Sequence, residues 1–130
     1  MKISEAWAAL DATPGYPRSW SAWSSDRSTL FITLPEPDVQ QDGRTIPLWD
    51  RTWKTKAGHK SATNTEQESN LRDAIAFNKP IIGFRVEMSA DGKRIRAAFP
   101  ERLLPLAIVE NNTWSVVGRA AERITDGGAA

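Results

Sequence analysis

The sequence predicts an α+β domain built on a curved antiparallel sheet, or a small open barrel, of five to six strands with two helices. Three observations carry this. Apolar, β-branched runs recur at hairpin spacing; only two segments have helical periodicity and start signals; and Asp91-Gly92 and Asn111-Asn112 supply tight turns between late strands. Helices do not alternate with strands, which argues against a parallel doubly wound sheet.

The first helix starts at Ser4, whose hydroxyl can cap a first-turn N–H, with Ala6, Trp7 and Leu10 on one face. Thr13-Pro14-Gly15 ends it. About two turns long, it must be held by packing, with Trp7 as anchor. Tyr16–Arg27 is mixed and serine-rich. Thr29–Leu34 is β-branched and apolar and reads as a strand stopped by Pro35 and Pro37.

A polar connection over residues 36–44 leads to a second strand, Thr45–Trp53. At period two, Trp49, Arg51 and Trp53 then share one face. Lys54–Asn64 reads as an exposed loop. Thr65 and Glu68 form a capping-box pair for a helix from Glu66 to about Phe77, with Leu71, Ala74, Ile75 and Asn78 on its stripe and Pro80 beyond it. Ile81–Met88 sets Ile82, Phe84, Val86 and Met88 on one face. Asp91-Gly92 turns the chain into Arg94–Phe99, where Ile95, Ala97 and Phe99 form the apolar face and Arg94, Arg96 and Ala98 face away beside Arg85 and Glu87. Pro100 and Pro105 bracket a turn before strands Leu106–Glu110 and Thr113–Arg119. One domain spans residues 1–119, and 120–130 reads as a flexible tail.

The chain has 130 residues, no cysteine and a net charge of +1. One domain of this size needs no disulfide or metal to fold. The lack of cysteine excludes thiolate metal sites and cysteine nucleophiles. No apolar run suits a membrane span, so a cytoplasmic protein without a membrane partner is expected. With whole-molecule charge near zero, affinity for nucleic acid must come from a local patch. Residues 44–60 supply one: Arg44, Arg51, Lys54, Lys56 and Lys60 against the single acid Asp50.

Catalytic signals are sparse. His59 is the sole histidine, in an expected loop. No nucleophile-elbow serine, phosphate-cradling glycine loop or dinucleotide motif is present, and neither a metal nor a cofactor is implied. Asp26 beside Arg27 and Asp50 beside Arg51 could serve as acids, against the plainer reading of turn chemistry. A Mg²⁺ nuclease would need converging acids and a lysine. Glu87 with Lys93 comes nearest, and a cross-strand ion pair explains it as well.

Of six tryptophans, Trp20, Trp23, Trp49 and Trp53 lie in the segment that opens onto the basic run. Stacking aromatics beside cations suit single strands or flipped bases, each stacked base contributing about 1–3 kcal/mol. At least two of the four are expected in the core, because residues 11–60 have few other large apolar groups. The site expected from the sequence has Trp49 and Trp53 stacking, with Trp20 or Trp23 closing a pocket. Arg51, Lys54, Lys56 and Lys60 meet phosphates, and Asp26 or Asp50 accepts from a base edge.

The element order resembles small bacterial PUA-like and SRA-like domains over about residues 16–119. That order is helix, tryptophan-rich segment, strand, basic loop and capped helix. Next come Ile81-Ile82-Gly83-Phe84-Arg85-Val86, a hairpin, and Pro100-Glu101-Arg102-Leu103-Leu104-Pro105-Leu106. The resemblance implies an aromatic pocket beside a basic surface that reads modified bases; no family-defining residue is carried over. Nucleic acid, DNA or RNA, is therefore the first expected partner. A protein-binding module, such as a phage- or plasmid-type inhibitor of a host enzyme, fits the same composition. A small hydrolase or nuclease using Asp26, Asp50 or His59 is the third reading.

Overall fold

A computed structural model describes residues 1–53 and 61–126. It is an α+β fold with seven strands in one open mixed sheet, ordered β1-β2-β3-β5-β6-β7-β4. The strands are β1 (Ala12–Thr13), β2 (Ser21–Ser24), β3 (Leu30–Pro35), β4 (Thr45–Asp50), β5 (Ile81–Met88), β6 (Ile95–Asn111) and β7 (Ser115–Ala120); the helices are α1 (Ile3–Ala9) and α2 (Ala62–Ala76). Among the described residues no helix is long and apolar enough to cross a membrane.

The strand count exceeds the expected five to six for two reasons. The serine-rich stretch contributes β1 and β2, which pair antiparallel with each other and with β3. The two expected strands 94–99 and 106–110 are instead one long strand, β6. Its first part pairs with β5 and its second with β7. Pro100 does not break it, because the β5–β6 register shifts where Phe99 to Leu104 face only Gly83 to Arg85, and Pro105 stays in register opposite Ile82. Pro100 thus sits in a bulge, where no ladder N–H is required of it.

The sheet is not wholly antiparallel either. β3 and β5 are parallel neighbours, from Leu30 opposite Ile81 to Pro35 opposite Val86. Between them in sequence the chain leaves for the far edge as β4 and returns through α2, the long crossover that a parallel pair needs.

Both faces of the sheet are buried. Leu30, Ile32 and Leu34 of β3 join Leu71 and Ala74 of α2, Ile46, Leu48 and Trp49 of β4, and Leu104, Val116 and Ile124 in one core. Phe31 points the other way, into a smaller core with Ala6 and Trp7 of α1, Phe84, Val86 and Ala98. Gly83 lies between them, where a Cβ would stand 2.6 Å from Leu34 Cδ1. Ile82, Phe84, Val86 and Met88 face the smaller core as the alternation predicts. On β6 the alternation fails. A second register shift at Glu87/Met88 sets Ile95 opposite Met88 and Ala98 opposite Val86. Ala98, not Ala97, is therefore buried, and Phe99 instead lies under the Arg85 guanidinium, 3.9 Å from its ring centroid.

Both helices begin earlier than expected. The N-cap of α1 is Lys2, whose backbone N–H donates to Glu5 Oε1 at 2.9 Å. Ser61 caps α2, accepting from the Asn64 N–H at 3.1 Å, so the Thr65/Glu68 pair lies inside the helix and Glu68 instead meets Arg72 at 2.7 Å. Glu87 pairs with Arg96 and Arg85, not with Lys93. The C-terminal boundary also lies beyond residue 119. β7 runs to Ala120, Ile124 is fully buried, and Arg102 donates to the carbonyls of Ile124 and Arg123 at 3.1 and 2.7 Å.

Candidate functional site

The buried stripe of α2 is amide-rich, and this organises the tryptophans. Asn64, Gln67, Leu71 and Ala74 are its buried residues. Asn64 Oδ1 accepts from Trp49 Nε1 at 3.1 Å, and Asn64 Nδ2 donates to the Trp53 carbonyl at 3.2 Å. Gln67 Nε2 donates to the Leu48 carbonyl at 3.0 Å, on the outer edge of β4. One turn on, Asn70 Oδ1 accepts from Trp23 Nε1 at 3.2 Å while its Nδ2 donates to Ser21 Oγ at 3.0 Å. Buried indole N–H groups need acceptors, and the helix supplies two, Asn64 and Asn70, six residues apart.

The four clustered tryptophans consequently divide. Trp49 and Trp23, 3% and 9% exposed, belong to the core. The expected shared face of Trp49, Arg51 and Trp53 does not form. β4 ends at Asp50, its register against β7 shifts between Pro47 and Trp49, and a turn closed by the Trp53 N–H on the Asp50 carbonyl redirects the chain. Trp53 meets Trp20 instead. Their rings lie edge to face, centroids 6.0 Å apart with an interplanar angle of 78°, and both are partly exposed. The Trp20 carbonyl is held twice by Thr33, through its N–H at 2.9 Å and its hydroxyl at 3.0 Å.

This pair lines a cleft of about 1160 Å³, whose walls include Arg18, Thr33, Asp38, Asn64 and Gln67. The cleft also takes in Pro35 and Met88, the C-terminal ends of the parallel strands β3 and β5, and the 88–95 hairpin with Lys93 and Arg94. A crevice outside the carboxyl ends of parallel strands is a recurrent ligand position in open sheets. Burial pushes the Asp38 carboxyl up from its ordinary value. Gln67 Oε1 is buried and accepts no hydrogen bond among the described residues.

The cations of the cleft differ from six arginines elsewhere. Arg27, Arg72, Arg85, Arg96, Arg102 and Arg119 each face a carboxylate. Arg18, Lys93 and Arg94 form no ion pair among the described residues, and all three line the cleft. None of the three stood among the residues expected to meet phosphates. The legible signal was the tight turn Asp91-Gly92, where Gly92 has φ +71° and Asp91 Oδ1 accepts from the Lys93 N–H, presenting Lys93 and Arg94 side by side.

The remaining expected residues lie elsewhere. Arg51 is exposed and stacks on Trp114, its guanidinium 3.9 Å from the ring centroid. Asp50 accepts from the N–H and hydroxyl of Thr52, which hold its carboxyl below the usual value. Asp26 closes a surface turn, its carboxyl lowered to about 2, first by the Ser28 hydroxyl and then by that of Ser24. Neither acid lines the cleft. A carboxyl depressed by folding stabilises above its unfolded value of 3.8 and loses that contribution as the pH falls toward 2. Native protein should therefore exceed the Asp26→Asn variant in stability at pH 5, and urea titrations should show the gap closing on acidification. Lys54, Lys56, His59 and Lys60 lie outside the described residues. Among those described, no three His, Cys, Asp or Glu side chains come together to hold a metal.

No family model, curated protein or solved structure matches this chain.

Proposed function

We propose that the chain binds nucleic acid through this cleft, taking an unpaired or flipped base against the Trp20–Trp53 pair. The observation that carries the reading is the coincidence, in one crevice, of two partly exposed indoles with three cations that have no carboxylate partner among the described residues. Indoles give bases a sequence-tolerant stacking surface, and the free cations neutralise phosphates without first breaking an ion pair. Asn64 and Thr33 fix the backbone beneath the two rings, so little ordering is needed when a base arrives. The segment carrying Lys54, Lys56 and Lys60 joins Trp53 to Ser61, and both of these residues line the cleft. The resemblance to PUA-like and SRA-like domains points to the same ligand class.

Fluorescence titration with single-stranded oligonucleotides tests this. Trp53→Ala and Trp20→Ala should each weaken binding by about 5- to 100-fold, the equivalent of about 1–3 kcal/mol per stacked base. The slope of log affinity against log salt should be about −2 for three phosphates on a single strand, and less steep in Arg18→Ala or Lys93→Ala. No binding to single-stranded or damaged DNA or RNA at low salt would refute the reading.

A further inference from the structure

The sixth tryptophan lies outside the core and outside the cleft. Trp114 is 57% exposed at the turn between β6 and β7, and everything around it holds it still. Asn112 Oδ1 accepts from the N–H groups of Trp114 and Ser115 at 2.7 and 3.0 Å, and the Asn112 N–H closes the turn on the Ser115 carbonyl at 3.2 Å. The Trp114 carbonyl accepts from the Arg51 N–H at 2.7 Å, tying the turn to the end of β4. The Arg51 guanidinium covers one face of the indole. More than half of the residue remains exposed. Fixing a large exposed aromatic against an exposed cation gains little for stability, whereas it prepares a surface for a flat partner.

We infer that Trp114, backed by Arg51, is a second base-stacking platform for a single strand that continues out of the cleft. This rests on the nucleic-acid reading above and extends it from one base to a path. Continuity with the cleft favours a strand over a protein. Arg51 is two residues from Trp53, at most about 7 Å of chain, and the turn at Asp50–Trp53 shortens that span. The same short segment therefore carries the platform's cation and the cleft's stacking ring. Arg51 forms no ion pair among the described residues, so its charge can serve a passing phosphate while its plane supports the indole.

Anisotropy titrations at low salt, using oligothymidylates and oligoadenylates of about 2 and about 12 nucleotides, test the path. Trp114→Ala should weaken the longer ligand by about 5- to 100-fold and leave the dinucleotide unchanged, while Trp114→Phe retains most of the affinity. Trp53→Ala should weaken both lengths. If Trp53→Ala weakens binding and Trp114→Ala changes neither length, the platform is refuted and the cleft reading stands. If the native chain binds neither length, both fall. Self-association in sedimentation that Trp114→Ala abolishes, with oligonucleotide affinity intact, would assign the ring to a protein contact and overturn the inference.

Discussion

Replacing Asn64 by alanine should lower the unfolding free energy by about 2–4 kcal/mol, because two hydrogen bonds of a buried side chain disappear at once. Asn64 is 2% exposed and joins Trp49 Nε1 to the Trp53 carbonyl. The substitution removes the acceptor it offers to the core indole and the donor that fixes the cleft residue. The helix cap survives, since the Asn64 backbone N–H still reaches Ser61 Oγ. Two readouts should move together: the midpoint of urea denaturation, and oligonucleotide affinity measured well below that midpoint. Reduced stability with unchanged affinity would mean that the Trp53 backbone does not need this anchor, and the link drawn between core and cleft would fail.

Phe84→Ala should cost more, about 3–5 kcal/mol, a large share of the roughly 5–15 kcal/mol by which domains are stable. Phe84 is fully buried and meets Trp7 edge to face, with centroids 5.3 Å apart at 82°. Its buried set is small, with Ile3, Leu10, Ile82, Met88 and Ile95 packed against it. Four of the eight buried residues are alanines: Ala6, Ala12, Ala22 and Ala98. α1 is only seven residues long and depends on Trp7 in this cluster, so helical circular dichroism should fall before the sheet signal on heating. Oligonucleotide affinity of the folded fraction should be unaffected, because Trp20 and Trp53 lie away from that core. A loss below about 1 kcal/mol would contradict the packing described.

Where one local signal decided the structure, the sequence was legible. Ile81–Met88 emerges with the expected ends and the expected inward face, because alternation, Pro80 and Asp91-Gly92 agree. The two helices and the α+β class follow from periodicity. What could not be read was long-range. The parallel pairing of β3 with β5 is set by an excursion through β4 and α2, and no local pattern announces it. Prolines 100 and 105 looked like a strand end, because the bulge that excuses Pro100 depends on the partner strand, where Pro105 stays in register opposite Ile82.

The candidate site was half legible for the same reason. Period-two counting joined Trp49 to Trp53 by assuming that β4 continued, yet the Asp50–Trp53 turn ended it. Asn64 fell at the end of the expected exposed loop Lys54–Asn64, and Gln67 lay outside the expected helical stripe. Their spacing continues the same helical stripe, and a sheet full of indole N–H groups gives amides a reason to be buried.

The pairing of β4 with β7 has a consequence for how the chain acquires its shape. Thr45 meets Arg119 and Asp50 meets Ser115, so about seventy residues separate the partners of this ladder. Loop closure over such a span is entropically slow, and on a ribosome β4 must wait, unpaired, until β7 has been made and has cleared the exit tunnel. Leu48 and the turn leading to Trp53 hang from that waiting strand. The cleft is thus among the last features to form, incomplete until β7 arrives.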